Sequence, residues 1–370
     1  KPHILKRRKI MRTILIGNGL DIQYGGSDYY CTSIVKRAIN NVATGNYREK
    51  DYPALIVNHL WILLDLAYKI LDNRAFIDAK VWAEDEKAAL NSFCLRYTNA
   101  SLKDVSEIGF EDYFLLQRLH FNLTYNPQIG NSQERIDYFE FLRRFFLDAI
   151  YNEGKICNIK YPKKLGKFLD QFDNIFSLNY DRNLDKVTNT PIHYLHGAFH
   201  VISEKYNNDS PMNKVMGIKT EVAGKEHLYS TALTTYCGKE KADLLTQADK
   251  INGFLSRAHE FKEECKRTGT EIYPQLKAIV LAKELCPEYV YPQNYCYHLF
   301  ENITDEIVIL GLSPANDDHL IDVINKNICK INYYFYPNDN IDYEKEIVKT
   351  IFSGREITFL AVTDLWNSFK

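Results

Sequence analysis

The chain has 370 residues, of which 46 are Lys or Arg and 48 are Asp or Glu, giving a formal net charge of -2. That balance excludes a binder relying on uniform positive charge to hold nucleic acid. With 45% hydrophobic and 25% charged residues and only 17 Gly and 11 Pro, the chain is neither disordered nor of low complexity. Its length exceeds the size at which one hydrophobic core stops growing, which predicts two domains or one large domain carrying a big insertion.

Residues 1–10, with Lys6-Arg7-Arg8-Lys9 ahead of Met11, read as a flexible basic arm or an appended remnant. Residues 13–16 are a short β-branched apolar run ending at Gly17-Asn18-Gly19, the pattern of a buried parallel strand entering a tight turn. From about 30 to 172 the period becomes helical. Leu60, Leu63, Leu64, Ala67 and Leu71 share one face, and 111–121 and 135–150 carry aromatic-rich amphipathic stripes. Strand character returns at 174–178 and 192–195. A polar loop at 203–213 and a stripe through Leu244, Ala248, Ile251, Leu255 and Ala258 mark a second, smaller insertion at about 203–275. The last third alternates a strand at 307–310, a helix near 316–327, a strand at 331–336, a helix near 341–352 and a strand at 357–362. This order predicts an α/β fold: a Rossmann-like, doubly wound, mostly parallel sheet covered by helices on both faces. The domain would span 11–370, interrupted twice.

Eight cysteines lie at 31, 94, 157, 237, 265, 286, 296 and 329, with none paired at zinc-ribbon spacing. In a large chain without a secretory apolar segment they read as reduced cytosolic thiols. No apolar run reaches the ~18 residues of a membrane span; the longest candidate, 60–71, is broken by Asp65 and Lys69. A cytoplasmic protein without a membrane partner is expected.

In doubly wound sheets ligands bind beyond the carboxyl ends of the strands. Four polar clusters fall there: Gly17-Asn18-Gly19-Leu20-Asp21, Asn179-Tyr180-Asp181, His196-Gly197 and Gly311-Leu312-Ser313. Glycines after the first strand let the backbone approach a pyrophosphate. Position 22 is Ile, however, so the Gly-x-Gly-x-x-Gly pattern is incomplete and a plain strand-to-helix turn fits as well. Asn179 and Asp181 flank Tyr180 and suit ribose hydroxyls, or equally an Asx turn leading into Leu184. His196 suits proton transfer near neutrality, or a hydrogen-bonded core position. His193, His196 and His200 have helical spacing on a strand-and-loop segment, so no metal set is expected from them. Asn316, Asp317 and Asp318 read as a helix-capping cluster, and Ser313 as a cap or a donor to phosphate or ribose. The tyrosine-rich stretch 289–297 reads as core and subunit surface.

The ordered set Ile-Gly-Asn-Gly-Leu-Asp at 16–21, Ser-Leu-Asn-Tyr-Asp at 177–181, Leu-His-Gly at 195–197 and Ile-Leu-Gly-Leu-Ser at 309–313 resembles the prokaryotic sirtuin-like family. Gly-Asn-Gly-Leu-Asp together with Phe110-Glu111 is similar to its abortive-infection protein H branch. The resemblance covers 11–30 and about 170–362. It implies an NAD-binding fold in which Gly17, Asn18 and Gly19 stand where the phosphate loop does, with Asp21 closing that motif among the cofactor-binding residues. It places Asn179 and Asp181 near the nicotinamide ribose, with Asp181 holding the carboxamide or the loop. His196 matches the catalytic histidine, and Gly311 and Ser313 match contacts to the adenosine half. Unlike the sirtuin deacylases, this chain has no Cys-x-x-Cys zinc module, and Asn18 replaces a small residue. The resemblance therefore implies hydrolysis of NAD itself to nicotinamide and ADP-ribose, with Asn179, His196 and Asp181 catalytic and no metal expected. It implies a triggered, NAD-depleting effector of antiphage defence. With no sensor domain expected after the sheet, the trigger would come from homo-oligomerisation or a separate subunit such as a ring-shaped ATPase or helicase. The competing expectation is a non-catalytic NAD or ADP-ribose sensor controlling a partner ATPase or nuclease.

Overall fold

The structure, a computed structural model, describes residues 10–47, 49, 52–73, 81, 83–97, 102–124, 132–199, 239–255, 257–269, 295–313, 317–338 and 341–370. The strands are β1 (Arg12–Ile16), β2 (Asn174–Ser177), β3 (Ile192–Tyr194), β4 (Asp305–Leu310), β5 (Ile328–Phe335) and β6 (Glu356–Ala361). They form one six-stranded sheet in the order β3-β2-β1-β4-β5-β6, and every pairing is parallel. This is the expected Rossmann-like α/β architecture.

Before β2, the described helices are α1 (Gly19–Gly25), α2 (Cys31–Ala43), α3 (Ile56–Asp72), α4 (Glu84–Tyr97), α5 (Phe110–Thr124), α6 (Ser132–Tyr151) and α7 (Lys163–Leu169). After β3 come α8 (Lys239–Leu255), α9 (Ala258–Thr268), α10 (Tyr297–Glu301), α11 (Asp318–Asn327), α12 (Ile341–Ile351) and α13 (Val362–Phe369). The stripe read as one helix through Ala258 is therefore two, α8 and α9. The polar loop at 203–213, residues 1–9, His200, Asn316 and 289–294 lie outside the described residues, while Tyr295 and Tyr297 are core.

Period-two alternation explains why both faces of the sheet are covered. Leu15, Phe176, Ile307, Ile309 and Ile331 point to one face, where they meet Leu245, Phe300, Leu320 and Val348 of α8, α10, α11 and α12. Their neighbours Ile14, Ile16, Ile175, Val308 and Leu310 point to the other, against Leu20 of α1, Leu165 and Leu169 of α7, and Trp366 of α13. A strand buried on both sides has no polar face, hence the continuous apolar runs. The helices between α2 and α6 bury a third cluster of their own, in which Leu60, Leu63, Tyr113 and Phe146 are almost fully enclosed. Among the described residues no helix is long and apolar enough to cross a membrane, and Cys31 and Cys265 are free thiols.

Candidate functional site

The strand order reverses between β1 and β4, the place where a parallel sheet opens a crevice at its carboxyl edge. A cavity of about 810 Å³ lies there, lined by Gly17, Asn18, Asn179, Asp181, His196 and Gly311, among others. All four polar clusters read from the sequence reach it, and its size is that of a small-molecule site.

Glycine is required at the seam of the crevice for backbone contact. A Cβ on Gly17 would stand 2.5 Å from the Gly311 carbonyl oxygen, and one on Gly19 2.7 Å from the Gly311 Cα, while Gly311 itself has φ +70°. The Gly17 N–H donates to the Leu310 carbonyl and the Gly19 N–H to the Gly311 carbonyl, both at 2.9 Å. Those two amides tie the β1 loop to the β4 loop and are not directed at an anion. The Asn18 Nδ2 is likewise committed, donating to the Tyr29 carbonyl at 2.7 Å. Ser313 is exposed at the rim.

Beyond β1 and β2 lies an acidic cluster. Asp21 and Asp181 are each 2% exposed. Asp21 Oδ1 accepts a hydrogen bond from the Tyr161 hydroxyl, and burial together with the facing Asp181 carboxylate pushes its pKa well above the usual range. Asp181 Oδ1 accepts from the Asn183 N–H at 2.7 Å, so the Asx turn is real. Its Oδ2 finds no protein donor unless Asp21 carries a proton. Asn179, 5% exposed, lines the cavity beside these carboxyls; its side-chain amide lies close enough to Asp21 to favour that carboxylate and is otherwise without a hydrogen-bond partner. Leaving such groups unsatisfied costs about 1–3 kcal/mol each, a cost retained where a ligand fills the need.

Beyond β3 and β4 lies a second cluster. His196 precedes Gly197, whose φ of +71° turns the chain away from the sheet. The His196 Nε2 is 3.2 Å from the His319 Nε2 and 3.6 Å from Asp317 Oδ1. The capping expectation for Asp317 is corrected here: it sits at the N-cap of α11, but its side chain makes no cap hydrogen bond, being turned into the site. Burial, then the Lys241 charge, hold His196 and His319 well below the ordinary imidazole pKa, so both are neutral. Burial raises Asp317 to about 7, against the pull of Lys241. Lys241, on α8, is fully buried and pairs with Glu111 of α5 at 3.2 Å. Glu111 also accepts from the Tyr180 hydroxyl at 3.1 Å.

The far end of the cavity, at β5 and β6, is aromatic, with Tyr334, Phe335, Tyr336 and Phe359 in its lining. There the Lys345 Nζ stands 4.5 Å from the centre of the Phe335 ring.

His319, Lys241 and the role of Asp317 were missed by sequence reasoning. The signal for Asp317 and His319 was present, since both follow the β4 turn and the strand-end rule applies to them as to His196. Lys241, in the charged run Lys239-Glu240-Lys241, carried no signal. Compared with protein-family models, curated proteins and solved structures, the chain matches none.

Proposed function

We propose that the protein is an NAD+ glycohydrolase that cleaves the bond between nicotinamide and ribose. The observation that carries the reading is the buried Asn179 side chain, with hydrogen-bonding capacity to spare, in a switch-point crevice it shares with a buried carboxyl pair and a neutral, buried imidazole. Breaking that bond builds positive charge on the ribose while nicotinamide leaves as a neutral molecule with the bonding electron pair, so no general acid is needed at the leaving group. Glycosidases acting on neutral sugars need two carboxyl groups instead. Asp181, backed by Asp21, supplies negative charge where the ribose cation develops, and fixed charge in a site closed to water is worth more than in solution. Asn179 orients the ribose or the attacking water with the hydrogen-bonding capacity its amide has left. His196, uncharged at neutral pH, takes the proton as the water oxygen bonds to C1′, and His319 and Asp317 lie close enough to share it. The aromatic end suits the adenine ring, with Lys345 beside it for the phosphates. The resemblance to the sirtuin-like defence proteins supports the same substrate and suggests that turnover is switched on by assembly or a partner subunit.

The test is incubation of the purified protein with NAD+, alone and with the product of its neighbouring gene, and chromatography for nicotinamide. His196→Ala and Asn179→Ala are each expected to lower release ~10²- to 10⁴-fold with unchanged melting. Turnover retained in either variant overturns the role given to that residue, and saturable NAD+ binding without nicotinamide release overturns the hydrolase reading in favour of a sensor.

A further inference from the structure

The contact between His196 and His319 has chemistry of its own. The two residues are 123 positions apart, yet their Nε2 atoms meet at 3.2 Å. Two imidazole nitrogens cannot face each other at that distance both bearing lone pairs, or both bearing protons, without repulsion. Either one proton or one cation must lie between them. Asp317 Oδ1 stands 3.6 Å from the same His196 atom, and one donor atom from each of the three buried residues lies within 4.8 Å of the others. A zinc-class ion with bonds of about 2.0–2.1 Å and tetrahedral angles sets adjacent donors about 3.3–3.4 Å apart. The two separations at His196, 3.2 and 3.6 Å, bracket that spacing, and the remaining pair lies within 4.8 Å, inside the reach of a small side-chain adjustment. Two imidazoles and a carboxylate with a fourth position open form the donor set of an accessible zinc site, whereas magnesium and calcium prefer all-oxygen cages. His196 and Asp317 line the cavity, so the open position faces it.

The surrounding charges permit the ion. Lys241 opposes it, but the Asp317 and Glu111 carboxyls outnumber that ammonium, and Glu111 is paired with it directly. The His319 Nδ1 is buried without a partner. A ligand histidine ordinarily donates its second N–H to an acceptor, and losing that support weakens binding about 10- to 100-fold. The geometry therefore suits an exchangeable ion better than a structural one.

We propose that His196, Asp317 and His319 bind a zinc-class divalent ion, and that the bound ion caps His196 by taking its Nε2 lone pair. The second half rests on the reading of His196 as the base of the hydrolase. A capped base gives a silent, metal-loaded form and an active, metal-free one, an arrangement suited to an activity that depletes a cofactor of the cell.

The full chain, reduced and stripped by a chelator, is titrated with Co2+ and then Zn2+. Expected are one Co2+ per chain, visible bands of a four-coordinate nitrogen and oxygen site without a thiolate charge-transfer band, and displacement by Zn2+. His319→Ala and Asp317→Ala should each weaken binding at least about tenfold, while His193→Ala, at a β3 histidine packed on Phe176, leaves it unchanged. No Co2+ uptake, a thiolate band, or undiminished binding in His319→Ala overturns the site. For the cap, Zn2+ should suppress nicotinamide release and excess chelator restore it; release that ignores Zn2+ or requires it overturns the cap. A protein that binds Co2+ in this way but releases no nicotinamide in any metal state refutes the hydrolase reading and the cap with it, and leaves the metal site standing.

Discussion

The two polar clusters at the carboxyl edge of the sheet solve the same problem, a buried charge, in opposite ways. Beyond β1 and β2, Asp21 and Asp181 manage it without a buried cation: burial beside Asp181 raises the Asp21 pKa, Tyr161 from the segment ahead of α7 donates to it, and Asp181 closes a turn onto Asn183. Beyond β3 and β4, the imidazoles of His196 and His319 are kept neutral partly by a cation that belongs to neither strand motif, Lys241 of α8, and that cation is held by Glu111 of α5. One side of the cavity thus settles its charge with hydrogen bonds and a raised carboxyl pKa, and the other depends on an ion pair between α8 and α5. A pair of environments that drives titratable groups apart is how a site assigns distinct proton roles at one pH. Here the side that would take a proton is the one that movements of α5 and α8 can reach.

The largest test of that contrast outside the reaction itself removes the borrowed cation. Lys241→Met removes the ammonium paired with Glu111, and because the Glu111 side chain is 20% exposed the loss is at most about 3–5 kcal/mol, the cost for a fully buried pair. Urea unfolding should show that loss, and the double variant Lys241→Met, Glu111→Leu should recover much of it. Equal stability of Lys241→Met and the parent chain would mean that the histidine side does not lean on the helices. A smaller effect is expected where the two sides are joined. Gly17→Ala drives a methyl group to 2.5 Å from the Gly311 carbonyl oxygen, overpacking that costs about 1–3 kcal/mol. The same measurement checks it, and a neutral result would show that the β1 and β4 loops are not locked together.

What the sequence disclosed follows the same division. The strand runs at 13–16 and 307–310 were legible because both faces of a parallel strand are apolar, and Gly17, Asn179, His196 and Gly311 were legible because strand ends collect ligands in this architecture. Asp317 was misread because an aspartate at a helix start nearly always caps it, and only its turn toward His196 distinguishes the two roles. His319 was overlooked because its partner is distant in sequence: the spacing of His193, His196 and His200 argued against a metal set, yet a local spacing test has no bearing on a histidine 123 positions away. Lys241 looked like one of many surface lysines in a charged helix. Its burial follows from where α8 docks, on α10 and α11 with Glu111 of α5 within reach, which no periodicity announces.

The smallest effect belongs to the self-contained side, and its sign is diagnostic. The pKa of Asp21 is raised in the folded protein, so the native state keeps a proton that the unfolded chain releases above pH ~4. Stability therefore falls as pH rises from that value toward the raised pKa, because the unfolded state binds fewer protons across that window. Asp21→Asn keeps an oxygen to accept from Tyr161 and gains an N–H for Asp181, but has no proton to lose. The variant should melt above the parent at pH 8, by on the order of 2 °C, and the gap should close toward pH 4, where Asp21 is protonated whether folded or not. A variant that melts lower at pH 8 would place a charged Asp21 in the folded protein, and the acidic side would then need a cation from elsewhere just as Glu111 does.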